Sequence, residues 1–252
     1  MWASAAAYEA YVGRWSREVA ARFVPWLGLA AGLRWLDVGC GTGALSAAVR
    51  AGGGAVVGVD PARGFVAGRR EVVVGDGRAL PVRSGWFDVV VSGLALNFVP
   101  EPDRAVAEQV RVVRPGGTVA AYVWDYAEGM AMMRLFWDAA REVDPDAPDE
   151  GSRFPLCRPD GLAGVWRAAG LADVTVDAIE IPTWFVDFDD YWNPFLGGQG
   201  AAPAYLMALP EADRAVLREV LRARLPDRDI HLTARAWAVR GTAQAATVRG
   251  TA

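Results

Sequence analysis

The sequence predicts an α/β fold built on a doubly wound, mostly parallel sheet. Three observations carry this prediction. Near-continuous apolar runs of strand length recur at AVVGVD (55–60), EVVVGD (71–76), WFDVVVSG (86–93) and TVAAYVWD, ending at Asp125. Helical stretches alternate with them, the arrangement that buries a parallel sheet on both faces. A glycine-rich turn, LDVGCGTGALS (36–46), joins the first strand to a small-residue helix, at the point where doubly wound sheets bind ligands.

The elements follow in order. Residues 8–27 place Tyr11, Trp15, Val19 and Phe23 at steps of four, which predicts an amphipathic helix. A strand is expected at 33–38 and a helix at 43–51, ending near Gly52-Gly53-Gly54. Only PARGFVAGRR (61–70) joins the next two strands, so the helix there is expected to be truncated and that sheet edge thinly covered. A helix from about Asp103 to Val113 is stopped by Pro115-Gly116-Gly117. Crossovers between parallel strands are expected to be right-handed. Further helices are expected at 128–143 and 159–169, a strand at 173–185 interrupted by Pro182, and a last strand, HLTARAWAV, at 231–239. Residues 187–226, aromatic-rich and helical, with a helix at 211–225 opened by Pro210, read as an insertion over the sheet.

Composition narrows the function. With 252 residues, 53% of them hydrophobic and 22% charged, the chain can bury a substantial core. A net charge of −4 leaves no electrostatic footprint for nucleic acid. All 26 basic residues are arginine, which excludes a lysine Schiff base and a P-loop lysine. Cys40 and Cys157 lie in unlike contexts and give neither a disulfide framework nor a zinc spacing, and the single histidine, His231, excludes a His-rich metal site. No metal is expected. The N-terminus lacks a basic region before a long apolar core, and no run of 18 apolar residues occurs, so a cytoplasmic protein without a membrane span is expected.

The glycine turn raises a question of charge. Gly39-Cys40-Gly41-Thr42-Gly43-Ala44 fits the G-x-G-x-x-A dinucleotide pattern, a weak signal alone. Asp37 argues against a phosphate ligand. A carboxylate about 5–6 Å from a pyrophosphate, at an effective dielectric of about 20, costs roughly 3 kcal/mol per charge. The same carboxylate favours a cation, and S-adenosyl-L-methionine carries an ammonium and a sulfonium but no phosphate. Asp60, 19 residues after Gly41, ends the second strand, where it can accept both ribose hydroxyls. Asp76 ends the third, in GDGRALPV, and suits an adenine amino group. A single strand-end aspartate is an ordinary turn former; three at successive strand ends make a pattern.

These motifs carry a resemblance. LDVGCGTG, VVGVDP, GDGRALPV, FDVVVSGLALNFV and RPGGTVAAYVW resemble, in order and spacing, the signature of class I S-adenosylmethionine-dependent methyltransferases, in particular the type 11 small-molecule branch that includes quinone-biosynthesis C-methyltransferases. The match is strong over residues 33–125 and weaker at YVGRWSR and LTARAWAV. The resemblance implies a Rossmann-like sheet of seven strands in the order 3-2-1-4-5-7-6, the seventh antiparallel. It implies one methyltransferase domain over 1–252: an N-terminal cover helix (1–30), a cofactor-binding core (31–125) and the helical cap insertion (187–226) between the last two strands. It implies cofactor contacts at Asp37, Gly39, Gly41, Thr42, Asp60, Pro61, Asp76, Gly77, Arg78 and Ser92. Tyr11 and Arg14 would lie near the methionine moiety, Arg14 as partner of its carboxylate. The product would be S-adenosyl-L-homocysteine, and the protein a monomer or homodimer.

The acceptor side leaves fewer traces. Methyl transfer is an in-line displacement, so alignment and exclusion of water suffice unless the nucleophile must lose a proton. Candidates are Asn97 and Phe98 after the fourth strand and Trp124, Asp125 and Tyr126 after the fifth; His231 is a further candidate base, although it reads as structural or exposed. WFVDFDDYWNPF (184–195) holds six aromatics, as core packing or as an apolar lid hinged at Gly197-Gly198-Gln199-Gly200. The expected function is methyl transfer to an apolar or aromatic small molecule. A non-catalytic cofactor-binding protein remains an alternative. A nicotinamide-dependent oxidoreductase is disfavoured by Asp37 and by the lack of a Tyr/Lys pair.

Overall fold

The computed structural model describes residues 9–198 and 200–244. Expectations for residues 1–8 and for Gln199 in the proposed hinge lie outside them. The sheet has seven strands in the order β3-β2-β1-β4-β5-β7-β6: β1 (Arg34–Val38), β2 (Ala55–Asp60), β3 (Val72–Val74), β4 (Phe87–Gly93), β5 (Val113–Trp124), β6 (Leu171–Asp187) and β7 (Arg228–Ala243). β1 to β5 pair in parallel, and β7 runs antiparallel between β5 and β6. The expected α/β, doubly wound order is therefore present. Its centre is the pair β1 and β4, whose Leu36, Val89, Val90 and Val91 are fully buried.

Helix α1 (Arg14–Trp26) continues a wider π-turn at Glu9–Gly13. It buries Trp15, Val19 and Phe23, the predicted stripe, and Phe23 packs on Tyr122 of β5 at 4.6 Å. Helix α2 (Ala44–Ala51) follows the glycine turn and packs on α1. The link from β2 to β3 holds only the one-turn helix α3 (Arg63–Val66). As expected, cover over that edge is thin, and Val73 and Val74 stay exposed. Helix α4 (Pro102–Val112) ends before the Pro-Gly-Gly segment, which lies within β5 rather than in a loop. Then come α5 (Ala131–Val143), α6 (Glu150–Arg153) and α7 (Pro159–Ala168).

β6 and β7 extend further than expected, pairing from Leu171↔Ala243 to Asp187↔Arg228. Pro182 does not interrupt β6, because β6 is an edge strand and needs a ladder donor on one side only. Between them lie α8 (Phe188–Trp192), a 3-10 turn at Asn193–Gly197, α9 (Ala201–Ala208) and α10 (Glu211–Arg222). Phe185, Phe188, Tyr191, Trp192 and Phe195 are buried; only Trp184 of the six aromatics is exposed. Phe195 stacks on Phe136 of α5 at 4.6 Å, and the Tyr191 hydroxyl donates to the Met132 carbonyl at 2.9 Å. Of the two readings of this segment, the structure has core packing. Among the described residues no helix is long and apolar enough to cross a membrane.

Candidate functional site

The glycine turn leaves β1 at the centre of the sheet. Gly39, Gly41 and Gly43 take φ of +75°, +46° and +92°, backbone that a side chain strongly disfavours. A Cβ at Gly39 would also stand 2.5 Å from the Ala95 Cβ. The turn folds toward β2, where the amides of Gly39 and Cys40 donate to the Val59 carbonyl at 2.8 and 3.2 Å. Asp60 fastens it from the side: its Oδ2 accepts from the Gly41 amide and its Oδ1 from the Ala62 amide, both at 2.9 Å. The Arg69 guanidinium closes the outer side, donating to the Gly41 carbonyl at 2.7 Å.

A cavity of about 1010 Å³ opens at the carboxyl ends of β1, β2 and β4. Asp37, Gly39, Gly41 and Thr42 form one wall, Asp60, Pro61 and Phe65 a second, and Gly93, Leu94 and Phe98 a third; Ser16 of α1 and Tyr122 of β5 also contribute. Thr42 donates to Glu9 at 2.6 Å, so the segment before α1 is tied to the turn. Asp37 is 1% exposed. Its Oδ2 accepts from the Ser46 hydroxyl at 2.6 Å, and its Oδ1 has no hydrogen-bond partner. Burial pushes its pKa from 3.8 to about 6 against the opposing pull of Ser46 and Arg69. The Cys40 thiol lines the same cavity and burial raises it to about 12, so it stays protonated.

A second cavity, of about 1050 Å³, shares Leu94 and Phe98 with the first. Its walls include Tyr11, Trp124, Tyr126, Met133 and Phe154, and it holds two charged side chains, Glu150 and Arg153. Glu150 is 6% exposed, and its Oε2 accepts from the Trp137 indole at 3.2 Å. Burial raises its pKa.

The first cavity gathers Asp37, Gly39, Gly41, Thr42, Asp60 and Pro61 as expected, and the second gathers Phe98, Trp124, Tyr126 and also Tyr11, which the sequence assigned to the cofactor. Other expected residues stand outside both linings. Arg14 is held by Asp190 at 2.8 Å and by the Trp184 carbonyl, and it lies over Trp15 and Phe185, so it joins α1 to the insertion. Asp76 forms an ion pair with Arg78 at 2.7 Å that holds its carboxyl below the usual range, and Arg78 also reaches Glu101. Gly77 and Ser92 likewise line neither cavity; Gly93 and Leu94, next along β4, do. Asn97 is outside both, with its amide nitrogen buried and unpartnered. Asp125 accepts from the amides of Ala127 and Glu128, pairs with Arg235 at 2.7 Å and lines neither cavity. His231 is exposed on β7 opposite Trp184 and lines neither cavity.

Sequence reasoning missed Ser16, Phe65, Leu94, Tyr122, Glu150 and Arg153. Leu94 follows directly from an apolar strand end and was findable; Glu150 sits in DPDAPDE, an ordinary polar loop by composition.

Comparison with known proteins agrees with this architecture. A family model described as "Methyltransferase domain" matches residues 36–121. The demethylmenaquinone methyltransferase of Renibacterium salmoninarum is 38% identical over 110 residues, covering 41% of this chain and 45% of that protein, so the chain spans about half the length of that relative. The demethylmenaquinone methyltransferase of Roseiflexus castenholzii is 34% identical over 166 residues, covering 56% of this chain and 69% of that protein. Among solved structures, a Haemonchus contortus phosphoethanolamine N-methyltransferase in complex with S-adenosyl-L-methionine aligns with a TM-score of 0.55 at 16% identity, over 96% of this chain and 57% of that one. This chain belongs to the class I S-adenosylmethionine-dependent methyltransferase family.

Proposed function

We propose that the protein transfers a methyl group from S-adenosyl-L-methionine to an apolar or aromatic small molecule. The observation that carries this reading is the Asp37 carboxylate, buried at the first cavity with one oxygen unpartnered. A buried anionic oxygen without a partner is costly, and a cationic ligand relieves that cost. The three left-handed glycines let a nucleoside approach the backbone, and the cavity opens beside them with a mostly apolar lining. Residues and cofactor therefore fit.

In this reading Asp60 holds the turn and offers its remaining lone pairs to the ribose hydroxyls. Phe65 and Val99 supply apolar walls, and Asp37 faces the ammonium of the tail, directly or through water. When bound, the cofactor supplies a methyl group on a sulfonium, already activated toward displacement. The protein aligns the acceptor in the second cavity and excludes water. The names of the curated relatives support a flat, unsaturated acceptor. The rival reading is a binding protein without transfer. Incubating the protein with S-adenosyl-L-methionine and a panel of aromatic acceptors separates the two: released S-adenosyl-L-homocysteine together with a methylated product supports transfer, and tight binding with neither supports the rival.

A further inference from the structure

We propose that Glu150 is the general base of the acceptor cavity and that the acceptor is a flat aromatic molecule bearing an ionisable hydroxyl group. This inference rests on the methyltransferase reading above and adds to it the class of acceptor and the residue that takes its proton.

Four features converge. First, the cavity is walled by rings: Tyr126 and Phe98 lie 5.2 and 5.5 Å from Phe154, and Trp124 is a further wall. Second, Glu150 lines this cavity although it is almost fully buried, and its one identified partner, the Trp137 N–H, engages only Oε2. Third, the Trp124 indole N–H is buried in the same wall with no hydrogen-bond partner. An indole N–H is a donor only; it can serve an acceptor oxygen, whereas an ammonium offers it nothing. Fourth, Arg153 lines the cavity beside Glu150. The two charges cancel, so a neutral hydroxyl enters a neutral site. An ammonium would add an uncompensated positive charge, and a phenolate formed there keeps Arg153 as its counter-ion. Leu94 and Phe98, common to both cavities, put the acceptor next to the methyl donor.

The charged and titratable groups around Glu150 are Arg153, Arg134, Asp149, Tyr11 and Cys157, with Tyr126 in the same wall. Burial dominates them and raises the Glu150 carboxyl, which moves a weak base toward the strength useful at neutral pH. The acceptor O–H bond breaks and its proton passes to a Glu150 carboxylate oxygen. The electron pair left on the acceptor forms the new bond to the methyl carbon as the carbon–sulfur bond breaks, its pair remaining on sulfur. For transfer to oxygen, Glu150 then releases the proton to solvent. For transfer to the conjugated ring carbon, the ring C–H proton leaves to solvent as its bonding pair restores the aromatic ring, and the oxygen regains its proton from Glu150.

The test compares the full-length wild type with Glu150→Gln, which keeps an acceptor for the Trp137 N–H. Release of S-adenosyl-L-homocysteine is measured with 2-naphthol, with the more acidic 1-nitro-2-naphthol and with 2-naphthylmethylamine, across pH 6–9. The wild type is expected to methylate the naphthols and not the amine. Glu150→Gln is expected to bind S-adenosyl-L-methionine like the wild type in calorimetry and to turn over 2-naphthol about 10²–10⁴-fold more slowly at pH 7. That deficit should shrink as pH rises and for the nitronaphthol, which is already ionised; a merely structural defect would not follow the acidity of the acceptor. A variant within about threefold of wild type at pH 7, or a deficit equal for both naphthols at every pH, overturns the proposal. Turnover of the amine alone by a wild type that binds S-adenosyl-L-methionine overturns it while leaving the methyltransferase reading intact. A wild type that binds no S-adenosyl-L-methionine overturns both.

Discussion

Replacing Asp37 by Asn should raise the protein's stability relative to wild type as pH rises, while making it a poorer binder. Asp37 is buried beside the glycine turn, with Oδ2 on Ser46 and Oδ1 without a partner. Its pKa rises from 3.8 to about 6 on burial, which at about 1.4 kcal/mol per tenfold is a cost of about 3 kcal/mol for holding the charge. The sign follows from proton binding. The unfolded chain loses this proton near 3.8 and the folded one near 6, so the folded state binds more protons in between. This group's contribution to stability therefore falls as pH rises through that window and is constant above it. Asparagine does not titrate, but it places an amide N–H₂ where the unpartnered oxygen was, at a cost of about 1–3 kcal/mol. The stability of Asp37→Asn minus that of wild type should thus rise by about 2.4 kcal/mol between pH 4 and pH 7, from a deficit to rough parity or a gain. Urea melts of both proteins across that range measure the difference, which cancels the other titrating groups. Calorimetry at pH 8 should show S-adenosyl-L-methionine losing about 1–2 kcal/mol of affinity in the variant, and adenosine, which lacks the cationic tail, losing almost none. A stability difference that does not change with pH, or equal losses for both ligands, would refute the reasoning.

Three further outcomes are expected. Asp60→Ala removes the acceptor for the Gly41 and Ala62 amides as well as the proposed ribose contact; melting should register a loss of about 1–3 kcal/mol and calorimetry a loss of at least about 1.5 kcal/mol in S-adenosyl-L-methionine binding. Gly39→Ala meets both a φ of +75° and the Ala95 Cβ, so denaturation should show roughly 2–4 kcal/mol of destabilisation, and less than about 1 kcal/mol would mean that the turn relaxes freely. Arg14→Gln breaks the part-exposed pair with Asp190; stability should drop by about 0.5–1 kcal/mol while affinity for S-adenosyl-L-methionine stays within about twofold, and a large affinity loss would return Arg14 to the cofactor's carboxylate.

Much of the fold was legible because its signals are local. Apolar runs of strand length, each closed by an acid or glycine, specify strands buried on both faces, and the short 61–70 link announced the thin edge that leaves Val73 and Val74 exposed. The glycine turn and Asp60 were legible for the same reason: the backbone geometry needs those residue types at that spacing. Pro182 misled because the rule that proline ends a strand depends on whether the strand lies inside the sheet, which no local window reveals. The ion pair of Arg14 was not legible because its partner Asp190 lies 176 positions away. Asp76 was claimed by Arg78 two residues on, a pairing visible in GDGR but indistinguishable there from two solvated charges. Glu150 was invisible, since the role proposed for it rests on burial and burial is a property of the packed chain.

In the proposed reading the first cavity takes a nucleoside with a cationic tail and no phosphate. Titrating S-adenosyl-L-methionine and NADH separately into the wild-type protein at pH 8, where Asp37 is ionised, tests it most directly. Saturable one-to-one binding of S-adenosyl-L-methionine and no measurable heat from NADH are the expected outcome. Saturable binding of NADH with none for S-adenosyl-L-methionine would contradict it.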